Sequence, residues 1–324
     1  MNYIGELAAS GTAILWSISA LLFTVAGKRV GPNTVNIARL AIGMVIIMAI
    51  HQVAFGSPFP FETEGWRWGV LALSAILGLV IGDTALFFAF VMIGPRLSML
   101  IMSAVPVFSS LFAWLCFGQV IVGVEYLGMA LTVGAIAWVV TEDRQLDADT
   151  TAESKEEISQ APEAEASHSD ALIQSPNSFL LGIALALVGA LGQTANLIVT
   201  KFALKDNDYS ELSATEIRIL VSLVALLGYF IIRGELAEMT RNLFKDAVAF
   251  AQTSVGALIG PVLGIWLSYI AIEYTKIGVA STIIALSPLL LIPLSAFYLD
   301  DRITVRTVIG TIVALIGVTV IFLI

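Results

Sequence analysis

Charge is scarce in this sequence: 13% of the residues are charged and 58% are hydrophobic. Soluble domains carry about 25% charged residues and about 45–50% apolar ones. An outer surface built from so few polar groups cannot meet water, whereas hydrocarbon accepts it. Cysteine is nearly missing as well. Cys116 stands alone in an apolar run, which excludes a disulfide framework and any Cys/His zinc spacing. The two histidines, His51 and His168, lie far apart beside polar segments. Neither a metal nor any other cofactor is expected. A basic stretch is missing from the opening Met1 to Glu6, so the first apolar run is expected to be a permanent helix and not a cleaved signal peptide. There is no paired-Asp motif and no Gly-rich phosphate loop, and no histidine is expected in the membrane core. An enzyme would need a convergent set of acid, base, nucleophile or metal-ligand groups, which this pattern does not offer, and nucleic acid is not an expected partner.

The net charge of −9 belongs mostly to one segment. Glu142 to Asn177 holds ten acidic and two basic residues, Arg144 and Lys155, a balance of −8. The low pI therefore describes this stretch and no acidic binding surface. Rich in Ser, Ala and Glu, residues 142–177 cannot bury enough apolar area to fold alone and are expected to form a disordered linker.

Ten apolar runs of about 20 residues, the length that crosses a bilayer, flank that segment: 5–26, 33–55, 66–93, 97–118 and 124–141 before it, then 179–201, 213–232, 247–272, 279–299 and 304–324. The expected fold is all-α and integral to a membrane, with one five-helix unit over 1–141 and another over 178–324. The units repeat. Gly78 and Gly82 align with Gly256 and Gly260, Pro106 with Pro288, Gly128 with Gly310, and Arg39 with Arg218. In this alignment Pro261 stands opposite Asp83. Five crossings per unit make the second enter from the opposite side, giving an inverted repeat. Two similar halves of opposite sense can exchange conformations and open a central cavity to alternate sides.

The run from Gly82-Asp83-Thr84 through Gly94-Pro95-Arg96 to Pro106, continued by Phe108, Phe117-Gly118-Gln119 and Gly128, resembles the EamA domain of the drug/metabolite transporter superfamily. A second copy runs from Gly278 to Pro288, through Leu299-Asp300-Asp301, to Gly310. Leu15-Trp16-Ser17 is similar to that family's opening motif. The resemblance covers nearly the whole chain outside the linker. It implies a transporter of amino acids, other metabolites or toxic compounds in a cell membrane. The family often has Gly-Glu after its fourth helix; here Gln119 follows Gly118, with Asp301 at the second-half equivalent, so the first half lacks that carboxylate.

Candidate site residues follow from the cost of polarity at bilayer depth, about 2.5–3.5 kcal/mol for a charge on insertion scales. Asp83 lies inside the third apolar run. It is read either as a proton-binding or amine-binding group, or as a structural carboxylate held by a neighbouring cation. Arg39 is its expected partner. At 1.5 Å per residue Arg39 lies about 9 Å and Asp83 about 15 Å from the same face, a difference that a long side chain spans. Arg218 is read as snorkelling to the interface. Glu216, two residues earlier, does not share its helix face. Gln193, Asn196 and Thr200 form a polar stripe on the sixth helix, Ser17 and Thr24 one on the first, and Met99, Ser103, Pro106 and Ser110 one on the fourth. Such groups face protein or water because lipid cannot satisfy them. They line a cavity or bond between helices. Trp16, Phe87 and Tyr269 are candidate walls. Pro106 and Pro288, at matching mid-membrane positions, point to interrupted helices of the kind that mark transporter sites. The expected partners are a small-molecule substrate, the lipid bilayer and protons.

Orientation has two readings. Ten Lys and Arg lie on the linker side and four, Arg67, Lys201, Lys205 and Lys276, on the side of the termini. This bias places the linker in the cytoplasm. The family resemblance implies the reverse.

Overall fold

The computed structural model describes residues 3–118, 120–121, 123–158, 178–204, 209–299, 301 and 303–322, leaving out the side chains of 116–117, 146–158, 269 and 277–278. Among the described residues the regular elements are all helices, and ten are long and apolar enough to cross a bilayer: α1 (Ile4–Val30), α2 (Pro32–Phe55), α3 (Gly65–Met92), α4 (Gly94–Leu115), α5 (Gly123–Gln145), α6 (Ser178–Ala203), α7 (Glu211–Ile232), α8 (Ala247–Tyr274), α9 (Val279–Leu299) and α10 (Val305–Phe322). Helical hydrogen bonding keeps backbone groups paired within the span, as a segment without water requires. Large apolar side chains such as Val53, Leu115 and Ile232 are left exposed on the outside, a surface suited to lipid.

Packing interleaves the two halves. α1 runs along α8, and α6 along α3, so the first helix of each half lies on the third of the other. Small residues allow the approach. A Cβ placed on Gly192 of α6 would come within 2.7 Å of the Gly82 Cα and of the Leu77 carbonyl oxygen in α3. Backbone cannot yield as a side-chain tip would. Gly192→Ala is therefore expected to cost about 1–3 kcal/mol through forced separation of α3 and α6. Thermal melting in detergent reads this as a lowered midpoint; an unchanged midpoint would mean that the helices do not touch there.

The irregular parts of the helices repeat at constant spacing. α3 consists of α-helical Gly65–Ala75, π-helical Ile76–Gly82 and α-helical Asp83–Met92. α8 consists of Ala247–Ala257, π-helical Leu258–Gly264 and Ile265–Tyr274. Each piece begins 182 residues after its counterpart (65 and 247, 76 and 258, 83 and 265). This spacing corrects the register read from sequence. Asp83 corresponds to Ile265, not to Pro261, and Gly78 and Gly82 correspond to Gly260 and Gly264. Glycines recur every four residues at 256, 260 and 264, so a glycine match slides by one period without loss. The π turns, like the pair Pro106 and Pro288, fix it.

α4 and α9 are each broken in mid-span. The pieces are Gly94–Met102 and Val105–Phe117 in the first half, and Ile277–Ile284 and Ser287–Leu299 in the second. Pro106 and Pro288 are the second residues of the later pieces, where a missing N–H interrupts no intrahelical bond. They set where a new helix starts. The breaks keep their backbone donors occupied: in the first, Ala104 N–H donates to the Ile101 carbonyl at 2.9 Å.

The helix that begins as α5 runs on to Ile158, into the segment expected to be a disordered linker. No Gly or Pro interrupts the sequence between Gly134 and Pro162, and Ala, Glu, Gln and Lys favour helix. The first residues of that segment are packed. Glu142 accepts from Thr304 at 2.8 Å, and Asp143 pairs with Arg96 at 3.2 Å. Residues 159–177, with His168, lie outside the described residues, as do Gln119, Asp300 and Arg302.

Candidate translocation site

Asp83 follows directly on the π turn of α3, its backbone N–H donating to the Gly78 carbonyl five residues back. Turns of this kind recur at functional sites. The side chain is buried and both its oxygens are engaged. Arg39 Nη2 of α2 donates to Oδ2 at 2.6 Å, and Gln193 Nε2 of α6 donates to Oδ1 at 2.7 Å. Arg39 also donates to Asn36 Oδ1 at 2.9 Å, and Asn36 Nδ2 donates to Thr84 Oγ1 at 3.0 Å. The guanidinium carbon lies 5.1 Å from the Phe87 ring centroid. On the other side, Asn196 Nδ2 donates to Gln193 Oε1 at 3.2 Å, and Ser74 Oγ donates to Asn196 Oδ1 at 2.6 Å. Ser74 and Thr200 hydroxyls meet at 2.7 Å. One polar chain thus runs from Thr84 to Thr200 through α2, α3 and α6, joining the first half to the second. Arg39 Nε is buried and has no hydrogen-bond partner among the described residues.

The structure brings together five of the candidates, Asp83, Arg39, Phe87, Gln193 and Asn196. The ion pair and the polar stripe of α6 prove to be one network. Three side chains read only as sequence neighbours or not at all, Asn36, Thr84 and Ser74, complete it. Asn36 had a usable signal: it lies three residues before Arg39, on the same helix face.

Of the other candidates, Ser17, Ser103, Pro106 and Pro288 lie at or beside the breaks in the fourth helices. The Ser17 hydroxyl is buried within reach of the Ser287 carbonyl oxygen, 3.0 Å away and just before Pro288. Thr194 stands in the same relation to the Val105 carbonyl, 3.5 Å away and just before Pro106. Each half's first helix therefore touches the break in the other half's fourth. Ser103 is half-buried and donates to the Met99 carbonyl at 3.4 Å. Trp16 packs its indole edge on Gly264 of α8. Among the described residues none of these hydrogen-bonds to the Asp83 network. Tyr269 occupies the α8 position 182 residues after Phe87, and its side chain lies outside the described residues. At this level the side chains of Arg39 and Asp83 are themselves largely buried. On the linker side Leu21, Leu86, Phe90 and Leu291 form an apolar plug flanked by Met99 and Met102.

His51, near a polar segment in the sequence, is 3% exposed. Its ring sits between α2 and α7, beside a wholly buried Glu216.

Residues 3–141 and 180–323 match the family described as the EamA-like transporter family. No curated protein matches the chain. A solved structure described as "Crystal structure of protein" is similar over 99% of this chain and 96% of its own, with a TM-score of 0.56 and 14% identity. At that identity the likeness is one of fold.

Proposed function

Because the chain belongs to the EamA-like transporter family, we propose that it is a secondary carrier that exports a small organic solute, amino-acid-like in its charges, across the cytoplasmic membrane by alternating access, coupled to protons. The observation that carries this reading is the Arg39–Asp83 pair, closed by Gln193 from the opposite half. A zwitterion suits such a pair. Its carboxylate takes the N–H groups of Arg39, including the buried Nε that has no partner among the described residues, while its ammonium takes Asp83. The internal pair is exchanged for two external ones of equal charge, so the site is never left with an uncompensated charge. A proton does the same work in reverse. By neutralising Asp83 it releases Arg39 and loosens the bond to Gln193 across the halves.

Five crossings in each half support an inverted pair, and the matched breaks before Pro106 and Pro288 supply the discontinuous helices that such carriers use. Ser17 and Ser103, which stand beside these breaks, together with Trp16 and Tyr269, are the residues this reading assigns to the lining of the path.

Purified protein in liposomes preloaded with an amino acid tests the class. A carrier gives counterflow that saturates with external solute. A current linear in voltage, without saturable counterflow, would instead make the protein a channel. A solute panel is first ranked by thermal stabilisation, since a ligand that binds only the folded state raises its melting point.

A further inference from the structure

Glu216 is a buried carboxyl group. It lies in α7, its side chain is 0% exposed, and neither carboxyl oxygen has a hydrogen-bond partner among the described residues. An ionic neighbour among the described residues is His51 of α2, whose Nε2 lies 3.9 Å from Oε2 and whose side chain is 4% exposed. α2 belongs to the first half and α7 to the second. The two groups therefore meet across the halves, near the face where α2 ends and α7 begins. They are remote from Asp83: His51 is twelve residues beyond Arg39 on α2, about 18 Å along the axis.

The geometry says which nitrogen can take a proton. Nδ1 of His51 lies 2.7 Å from the Ser57 carbonyl oxygen. A carbonyl only accepts, so Nδ1 carries a hydrogen. Nε2 is left as the nitrogen that gains or loses one. It faces the Ser213 hydroxyl at 3.0 Å and Glu216 beyond it. A buried carboxylate without donors is costly. One proton held between the two groups removes that cost in either placement, as a neutral acid beside a neutral ring or as imidazolium beside carboxylate.

We propose that His51 and Glu216 form a proton-binding site between the two halves, separate from the Asp83 network, and that the single proton they hold pins α2 to α7 on this face. Losing it leaves a bare buried carboxylate and separates the two helices there. The surrounding charged and titratable groups are otherwise engaged. Arg67 of α3 donates to Glu64 at 3.0 Å and to the Ala203 carbonyl at 2.7 Å. Tyr209, ahead of α7, shares a hydrogen bond with Thr63 at 2.6 Å, and burial holds its phenol above the usual range. Arg218 is two residues along α7, on a different face.

The test does not depend on the carrier reading. The chain has two histidines, so His168→Asn leaves His51 as the sole imidazole. Histidine-selective nitrogen-15 labelling in nanodiscs then reports its tautomer and its titration. The expected result is a hydrogen on Nδ1 in the neutral ring and a pH response of Nε2 that differs between the His168→Asn protein and the same protein carrying Glu216→Gln. Retention of the original titration in Glu216→Asp is also expected. A ring that does not titrate between about pH 4 and about pH 9, or that titrates alike with and without Glu216→Gln, would overturn the proposal. Should Glu216→Gln not fold, infrared difference spectra of the His168→Asn protein decide. A buried carboxyl band that changes together with the His51 resonance is expected, and its absence overturns the site.

Discussion

Arg39→Met is expected to destabilise the folded chain by about 3–5 kcal/mol, because removing one partner of a buried pair leaves the other charge uncompensated. The side chains of Arg39 and Asp83 are only 12% and 6% exposed, at a separation of 2.6 Å. Methionine fills most of the space against Phe87, so the loss is electrostatic more than steric. After the change Asp83 retains one hydrogen-bond donor, Gln193, which is too little for a carboxylate at this depth. The double variant Arg39→Met/Asp83→Asn is expected to recover most of the loss, since a neutral amide can share hydrogen bonds with Gln193. Melting in detergent micelles separates the cases. Equal melting of Arg39→Met and the wild type would mean that the pair holds nothing together.

The parts of this architecture that were legible in the sequence are those set by solvent. Lipid demands long apolar runs, and ten were readable with their approximate ends. Depth along a helix is simple arithmetic, and it brought Asp83 and Arg39 to one level from their positions alone. Polar stripes at helical spacing put Gln193, Asn196 and Thr200 on one face, though not against Asp83, because nothing in a single helix says which neighbour it will meet.

Contacts between the halves were the illegible part. The contacts of His51 with Ser213 and Glu216 join residues 162 or more positions apart in the chain. The sequence places His51 beside a polar segment and says nothing of α7, which covers it. The repeat register failed for another reason. A glycine every fourth residue carries no phase, whereas the π turns that fix the phase leave no mark in a pattern counted at 3.6 residues per turn. The extension of α5 past Thr141 was hidden by composition. Acidic residues that cannot build a core can still prolong a helix that a core has already nucleated.

The most direct test of the transport account is Asp83→Asn in proteoliposomes. The substitution keeps the shape of the side chain and still presents an oxygen to Arg39, but it cannot exchange a proton. With the solute selected by thermal stabilisation, two rates are compared: accumulation driven by a pH gradient, and exchange of labelled for unlabelled solute with no gradient. The account predicts that gradient-driven accumulation falls to the level of empty liposomes while exchange survives. Normal accumulation by Asp83→Asn under a pH gradient would contradict it, and would leave Asp83 as a structural partner of Arg39 without a part in coupling.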